Sequence, residues 1–302
     1  MSEDKNINVS IVPKFAETAL ENVLEEPSKA VGSTFNDIWF LTLGGPIGQL
    51  AEKRKMKYAA DLEAYKKEIE EEISKVPNEK RCEVDIQIIG SIMEASKFCI
   101  EKEELRNMFS KLIASSMNTE REVSVHPAFP DMIRQLCPDE AKILKYLKSK
   151  LSENDNKFAL VDIRYLGEKT FKNDNGSDIV KTIDMINETV RTVGVTLSTK
   201  DMDRERTVFS DVTDLGILSE CEKSSNISSY LQNLEKMRII DIVNKEIVFR
   251  DDYYRIINSE FIKSFLFSAD VYSSRTKRTF GFIKKYFKLT SFGIDFVNTC
   301  IE

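Results

Sequence analysis

Residues 50–77 read LAEKRKMKYAADLEAYKKEIEEEISKVP, and their period decides what kind of fold this chain has. Leu62, Tyr65, Ile69, Ile73 and Val76 recur at steps of three and four, which places them on one stripe of a helix. The spacing predicts a helix from Gln49 to Val76, roughly 40 Å long at 1.5 Å per residue. Its remaining faces carry mixed charge, so it is stable only with the apolar stripe packed on a neighbour. Pro77 and Asn78 end it.

The same period continues downstream. A second helix is expected from Cys82 to Cys99, with Ile88, Ile92, Ala95 and Cys99 on one side. A third runs from about Lys102 to Met117, where Leu105, Met108, Phe109, Leu112 and Ile113 complete the i, i+3, i+4, i+7, i+8 pattern. Glu103 and Glu104 fall in its first turn, where carboxylates favour the positive helix end. A short helix is expected over 128–136, and Pro138 opens another through Lys150.

The texture changes after the polar stretch SKLSENDNK, residues 149–157. KFALVDIRYL reads as a strand or a short helix, and NDNGS at 173–177 as a turn. Residues 178–192 read as helix and 193–198 as extended, and RERTVFSDVTDLGIL as strand or helix leading into a turn. The last hundred residues give a helix at about 225–237, a strand in IIDIV, and a second strand candidate in EIVFR at 246–250. A helical DYYRIINSEFIKSFLFSAD follows, then strand-like alternation at Phe280 and Phe282, and a closing helix after Leu289 and Thr290. The fold expected is mainly α with a minor β component. A weakly ordered N-terminal segment (1–48) has one short helix candidate over 13–25; a helical domain (49–150) and a winged-helix-like α+β domain (151–302) follow.

Composition bounds the function. The chain has 302 residues and a net charge of −6, against the basic balance usual for non-specific nucleic-acid binders. Five unpaired-looking cysteines and a single histidine exclude a His-rich zinc centre and argue for a reducing, cytoplasmic setting. No secretory leader is legible at the start, and the most apolar run, IWFLTLGGPIGQLA at 38–51, is too short and too glycine-rich to span a bilayer.

Three blocks then carry a resemblance: EELRNMFSKLIASSMN at 103–118, VHPAFPDMIRQLCPDEAKILKYL at 125–147, and YLQNLEKMRIIDI at 230–242 combined with KLTSFGIDFVNTCI at 288–301. In order and spacing they resemble the abortive infection alpha family of bacterial phage-defence proteins, over roughly residues 45–302. The resemblance implies phage defence, in which an infected bacterium stops supporting phage growth or dies. It implies no catalytic residue.

The residues themselves offer no catalytic motif and no metal or cofactor site, so the chain reads as a binding protein. His126 precedes Pro127, which favours an extended corner between helices over a general base. LGGPIG lacks the lysine and hydroxyl of a phosphate loop and reads as a break in an apolar segment. The carboxylates of KKEIEEEISK and EKEEL read as solvated helix faces.

Two stretches are candidate contact sites. Between Val271 and Ile294 there is no acid, while Arg275, Lys277, Arg278, Lys284, Lys285 and Lys288 interleave with aromatics. These cations form either a surface balancing an acidic chain, the favoured reading, or a wing that touches phosphates. Trp39, Phe40 and Leu41 form either a core or oligomer contact, again favoured, or a membrane-interface anchor. The expected partner is a phage-encoded or host protein; a homo-oligomer, nucleic acid and a non-spanning membrane association stay open.

Overall fold

The computed structural model describes residues 38–44, 52–83, 85–152, 156–170, 206–246, 250–271 and 276–301. The expectations for 13–25, 173–177 and 178–198 lie outside the described residues. The fold is mainly α with a minor β component. The chain divides into two compact units, one made of residues 1–141 with 295–302, the other of residues 142–294.

The first unit is helical. Its helices are α1 (Glu52–Ser74), α2 (Ile86–Ser96), α3 (Glu103–Ser116) and α4 (Phe129–Gln135), preceded by a π-type turn, Phe40–Gly44. The predicted stripe of α1 is inside: Leu62, Tyr65, Ile69, Ile73 and Val76 are all buried. It packs on α3, whose five apolar stripe residues are buried too. Burying each such side chain contributes about 1.5–3 kcal/mol, which is why this pair forms the framework of the unit. Asp85 caps α2 by accepting the Gln87 N–H at 2.7 Å.

The acidic run of α1 is not wholly solvated. Glu68 and Glu72 lie one turn apart on the side that meets α3. Arg106 reaches Glu68 Oε1 through Nε at 2.8 Å and Nη2 at 2.7 Å, and donates Nη1–H to the Ile100 carbonyl at 2.9 Å. Lys111 meets Glu72 at 3.0 Å. Burial pushes the Glu68 carboxyl above its ordinary range, against the pull of the Arg106 guanidinium.

The same unit is completed by the distant segment 295–302. Phe296 is fully buried, edge-on to Phe129 with centroids 5.1 Å apart. Ser115 Oγ donates to the Thr299 carbonyl at 2.8 Å, and Arg121 to the Asn298 carbonyl at 3.3 Å.

The second unit is built on a four-stranded antiparallel sheet. The chain leaves the first unit within α5 (Pro138–Lys150), then forms β1 (Phe158–Thr170), β2 (Arg206–Val212), the short α6 (Leu215–Leu218), α7 (Ile227–Lys236) and β3 (Ile240–Val243). It continues through α8 (Arg250–Ile257), α9 (Glu260–Val271), β4 (Thr276–Leu289) and α10 (Ser291–Cys300). The strand order is β2-β1-β4-β3. The strand β3 pairs with β4 rather than with the 246–250 stretch. Glu246 stands outside any strand, Arg250 already opens α8, and 247–249 lie outside the described residues.

One sheet face carries Ala159, Val161 and Ile163 of β1 beside Phe280, Phe282 and Tyr286 of β4, and packs against Tyr253, Ile256, Ile262 and Phe265 of α8 and α9. Phe265 is edge-on to Phe209 at 4.9 Å and to Phe280 at 5.2 Å. The aromatics interleaved with the β4 cations are therefore partly core: Phe287 is fully buried on the opposite face, stacked on Phe158 at 5.2 Å. The helix α7 packs against β3 and β2.

Candidate partner and nucleic-acid interface

The cations of β4 alternate between the two sheet faces, because successive strand residues point to opposite sides. Lys284 falls on the helix-covered face. Its ammonium sits 5.4 Å from the Tyr253 ring centroid and pairs with Glu246 at 2.8 Å. Lys285 falls on the opposite face and is buried, with 8 % of its side chain exposed. It meets Asp162 at 2.8 Å and Asp211 at 2.6 Å.

A backbone irregularity makes that cage. Val161 pairs with Val212, Ile163 with Phe209 and Arg164 with Thr207, so β2 carries extra residues against β1. Such bulges bend the strand and re-aim a side chain. Asp211 sits at φ 58°, a left-handed conformation that Asp tolerates better than most residues. Its N–H donates to Asp162 Oδ1 at 2.9 Å, locking the second carboxylate. Burial alone would lower the Lys285 pKa, but hydrogen bonds and charge from Asp162 and Asp211 outweigh it and hold the ammonium above its ordinary value. The structure thus places Lys285 inside the unit, paired with both carboxylates.

The other cations spread along the strand. Lys288 pairs in register with Asp241. Arg278 stands opposite Glu168, and Lys277 opposite Lys169. Arg275 lies outside the described residues. Register also brings in two cations that the run at 271–294 omits. Arg164, exposed, stands opposite Gly281, and Lys169 is in register with Lys277. Only strand pairing could disclose them, because they are more than a hundred residues away in sequence.

A family model described as abortive infection alpha matches residues 57–300, a span that includes residues of both compact units. The chain belongs to the abortive infection alpha family. No curated protein and no solved structure matches it.

The remaining candidates in this abortive infection alpha chain find structural places. His126 is exposed at the corner ahead of α4, where Nδ1 accepts the Ala128 N–H at 3.1 Å and the ring lies 5.8 Å from Phe129. Trp39 is buried at 3 % exposure, its ring 5.7 Å from Tyr65 of α1. Leu41 is 74 % exposed, and the Phe40 side chain lies outside the described residues. Among the described residues, no group of three His, Cys, Asp or Glu side chains is placed to hold a metal ion. No helix among them is long and apolar enough to cross a membrane.

Proposed function

We propose that this chain is a bacterial abortive-infection protein that works in the cytoplasm by binding a phage-encoded or host component and so arresting the infected cell. The observation that carries the reading is the family match, because it spans most of the chain and not one small motif. Binding in solution is better supported than a membrane anchor through Trp39, since that indole is packed against Tyr65. A tryptophan serving a headgroup region would need its ring outside.

The test is expression of the chain in a phage-sensitive bacterium, followed by challenge with a panel of phages. The expected result is fewer plaques, together with loss of the infected cells at high phage dose. Affinity capture after infection should then retain a component absent before infection. Plaque numbers unchanged for every phage, at verified expression, would overturn the proposal.

A further inference from the structure

The helix α7 buries Ile227, Leu231 and Leu234 and packs against β2 and β3. At 3.6 residues per turn, its opposite side carries Ser229, Gln232 and Lys236, with Ser225 of the preceding turn in line with them. All four are exposed. Ser228 and Asn233 stand at the margins of that side, and Glu235 lies nearer the buried stripe. The outward side therefore has no acid and no large apolar residue. The outward side of α1 is different, because Glu63, Lys67 and Glu71 there are long, charged, strong helix formers.

Serine and asparagine weaken a helix, because their side chains compete for backbone hydrogen bonds. Here they give little back to the fold. Asn226 is the N-cap of α7, yet its side chain makes no capping bond. Ser225 meets Asn226 Oδ1, and Gln232 meets Ser228 Oγ, only at 3.4 Å and in exposed positions. Cations frame the helix: Lys223 precedes it, and Lys236 and Arg238 stand at its far end, all exposed. The exposed acids around it are engaged or outside the face. Glu220 and Glu222 lie ahead of the helix, Glu222 being 3.9 Å from Lys142, and Asp241 stands in register with Lys288. We infer that α7 reads duplex DNA, with Ser229 and Gln232 bonding base edges in the major groove and Lys236 and Arg238 meeting phosphates. The major groove admits an α-helix, and serine and glutamine are among the side chains that bond base edges there. The deep, narrow major groove of duplex RNA excludes a helix. A protein partner is disfavoured, because the core of a protein interface calls for aromatic and apolar side chains, which this side lacks. With an overall charge of −6, binding has to be local and salt-dependent.

The inference gives a chemical class to the component bound in the proposed defence role. Its test uses purified full-length protein without phage, so failure here leaves that role standing. A pool of random-sequence DNA duplexes of about 20 base pairs, two helical turns, is put through rounds of selection for binding. The selected duplex is then labelled and titrated by fluorescence anisotropy between about 50 and 200 mM salt. A variant carrying Lys236→Gln and Arg238→Gln should flatten the slope of log affinity against log salt by about 1.8, at about 0.9 for each phosphate no longer neutralised. A variant carrying Ser229→Ala and Gln232→Ala should keep that slope and bind the selected duplex about tenfold more weakly. Alanine is the better helix former at both positions, so a weaker complex is not the result of a weaker helix. A control with Lys67→Gln and Lys263→Gln should match wild type in slope and affinity. The inference is overturned by no duplex binding, by no sequence preference after selection, or by equal or tighter binding to the single strands. It is equally overturned by an unchanged slope in the first variant or an unchanged affinity in the second.

Discussion

Replacing Lys285 by Met removes the one cation between two inward-facing carboxylates. The side chains of Asp162 and Asp211 are only 16 % and 7 % exposed, so neither regains full hydration when the ammonium goes. Breaking a buried pair from one side costs about 3–5 kcal/mol, because the partner charge is left uncompensated. With an m value of about 2.5 kcal/mol/M, the urea midpoint of the transition that reports on the second unit should fall by about 1–2 M. A variant that also carries Asp162→Asn and Asp211→Asn should recover to within about 1 kcal/mol of wild type, since it removes all three charges together. Asn at 162 still accepts the residue 211 N–H, and Asn at 211 still tolerates the left-handed backbone. The pH dependence follows from the raised lysine pKa. Its contribution is fully present below the ordinary lysine value of about 10.4 and is lost as pH rises through the higher folded-state value. The gap between wild type and Lys285→Met should therefore stay flat through neutral pH and narrow only in strong alkali. A loss under about 1 kcal/mol, or a triple variant no more stable than the single one, would refute the argument.

Two further outcomes follow from close packing. At Gly293, an added Cβ would lie 2.0 Å from the Ile239 carbonyl oxygen, which already accepts the Thr290 N–H at 3.0 Å. Gly293→Ala should then cost about 3 kcal/mol or more in chemical denaturation, and a cost under about 1 kcal/mol would contradict the packing. Cys82 has its thiol pushed up to about 11 by burial and by the Glu122 carboxylate 3.1 Å away. Its alkylation at pH 8, read by peptide mapping, should run roughly tenfold to hundredfold slower than that of a free cysteine, and equal rates would refute the assignment.

The helical unit was legible because its signal is local. The spacing placed α1, α3 and α5 within a few residues of their observed bounds; α5 runs from Pro138 to Lys150 as expected. That helix starts where it does because Pro138 cannot sit deeper, and because the Glu140 carboxylate accepts the Cys137 N–H at 2.7 Å. The sheet was legible only in part. KFALVDIRYL and RERTVFSDVTDLGIL were ambiguous, because short apolar runs suit either element and the bulges of β2 break strict alternation. The fate of the basic run was hidden for another reason. Whether a lysine is caged, like Lys285, or stands opposite another lysine, like Lys277, depends on strands distant in sequence. His126 is legible as a corner residue because Pro127 restricts it locally.

The contribution of residues 295–302 to the helical unit also has a meaning in time. Ala141 and Asp295 are separated by 153 residues, all assigned to the other unit. At about 5–20 residues per second, synthesis takes roughly 8–30 s to cross that interval. Throughout it, Phe129 lacks Phe296 and Ser115 lacks the Thr299 carbonyl. The first unit to be translated is therefore the last to be finished. A chain that stops at residue 294 would carry its damage near its beginning, among helices made long before the break.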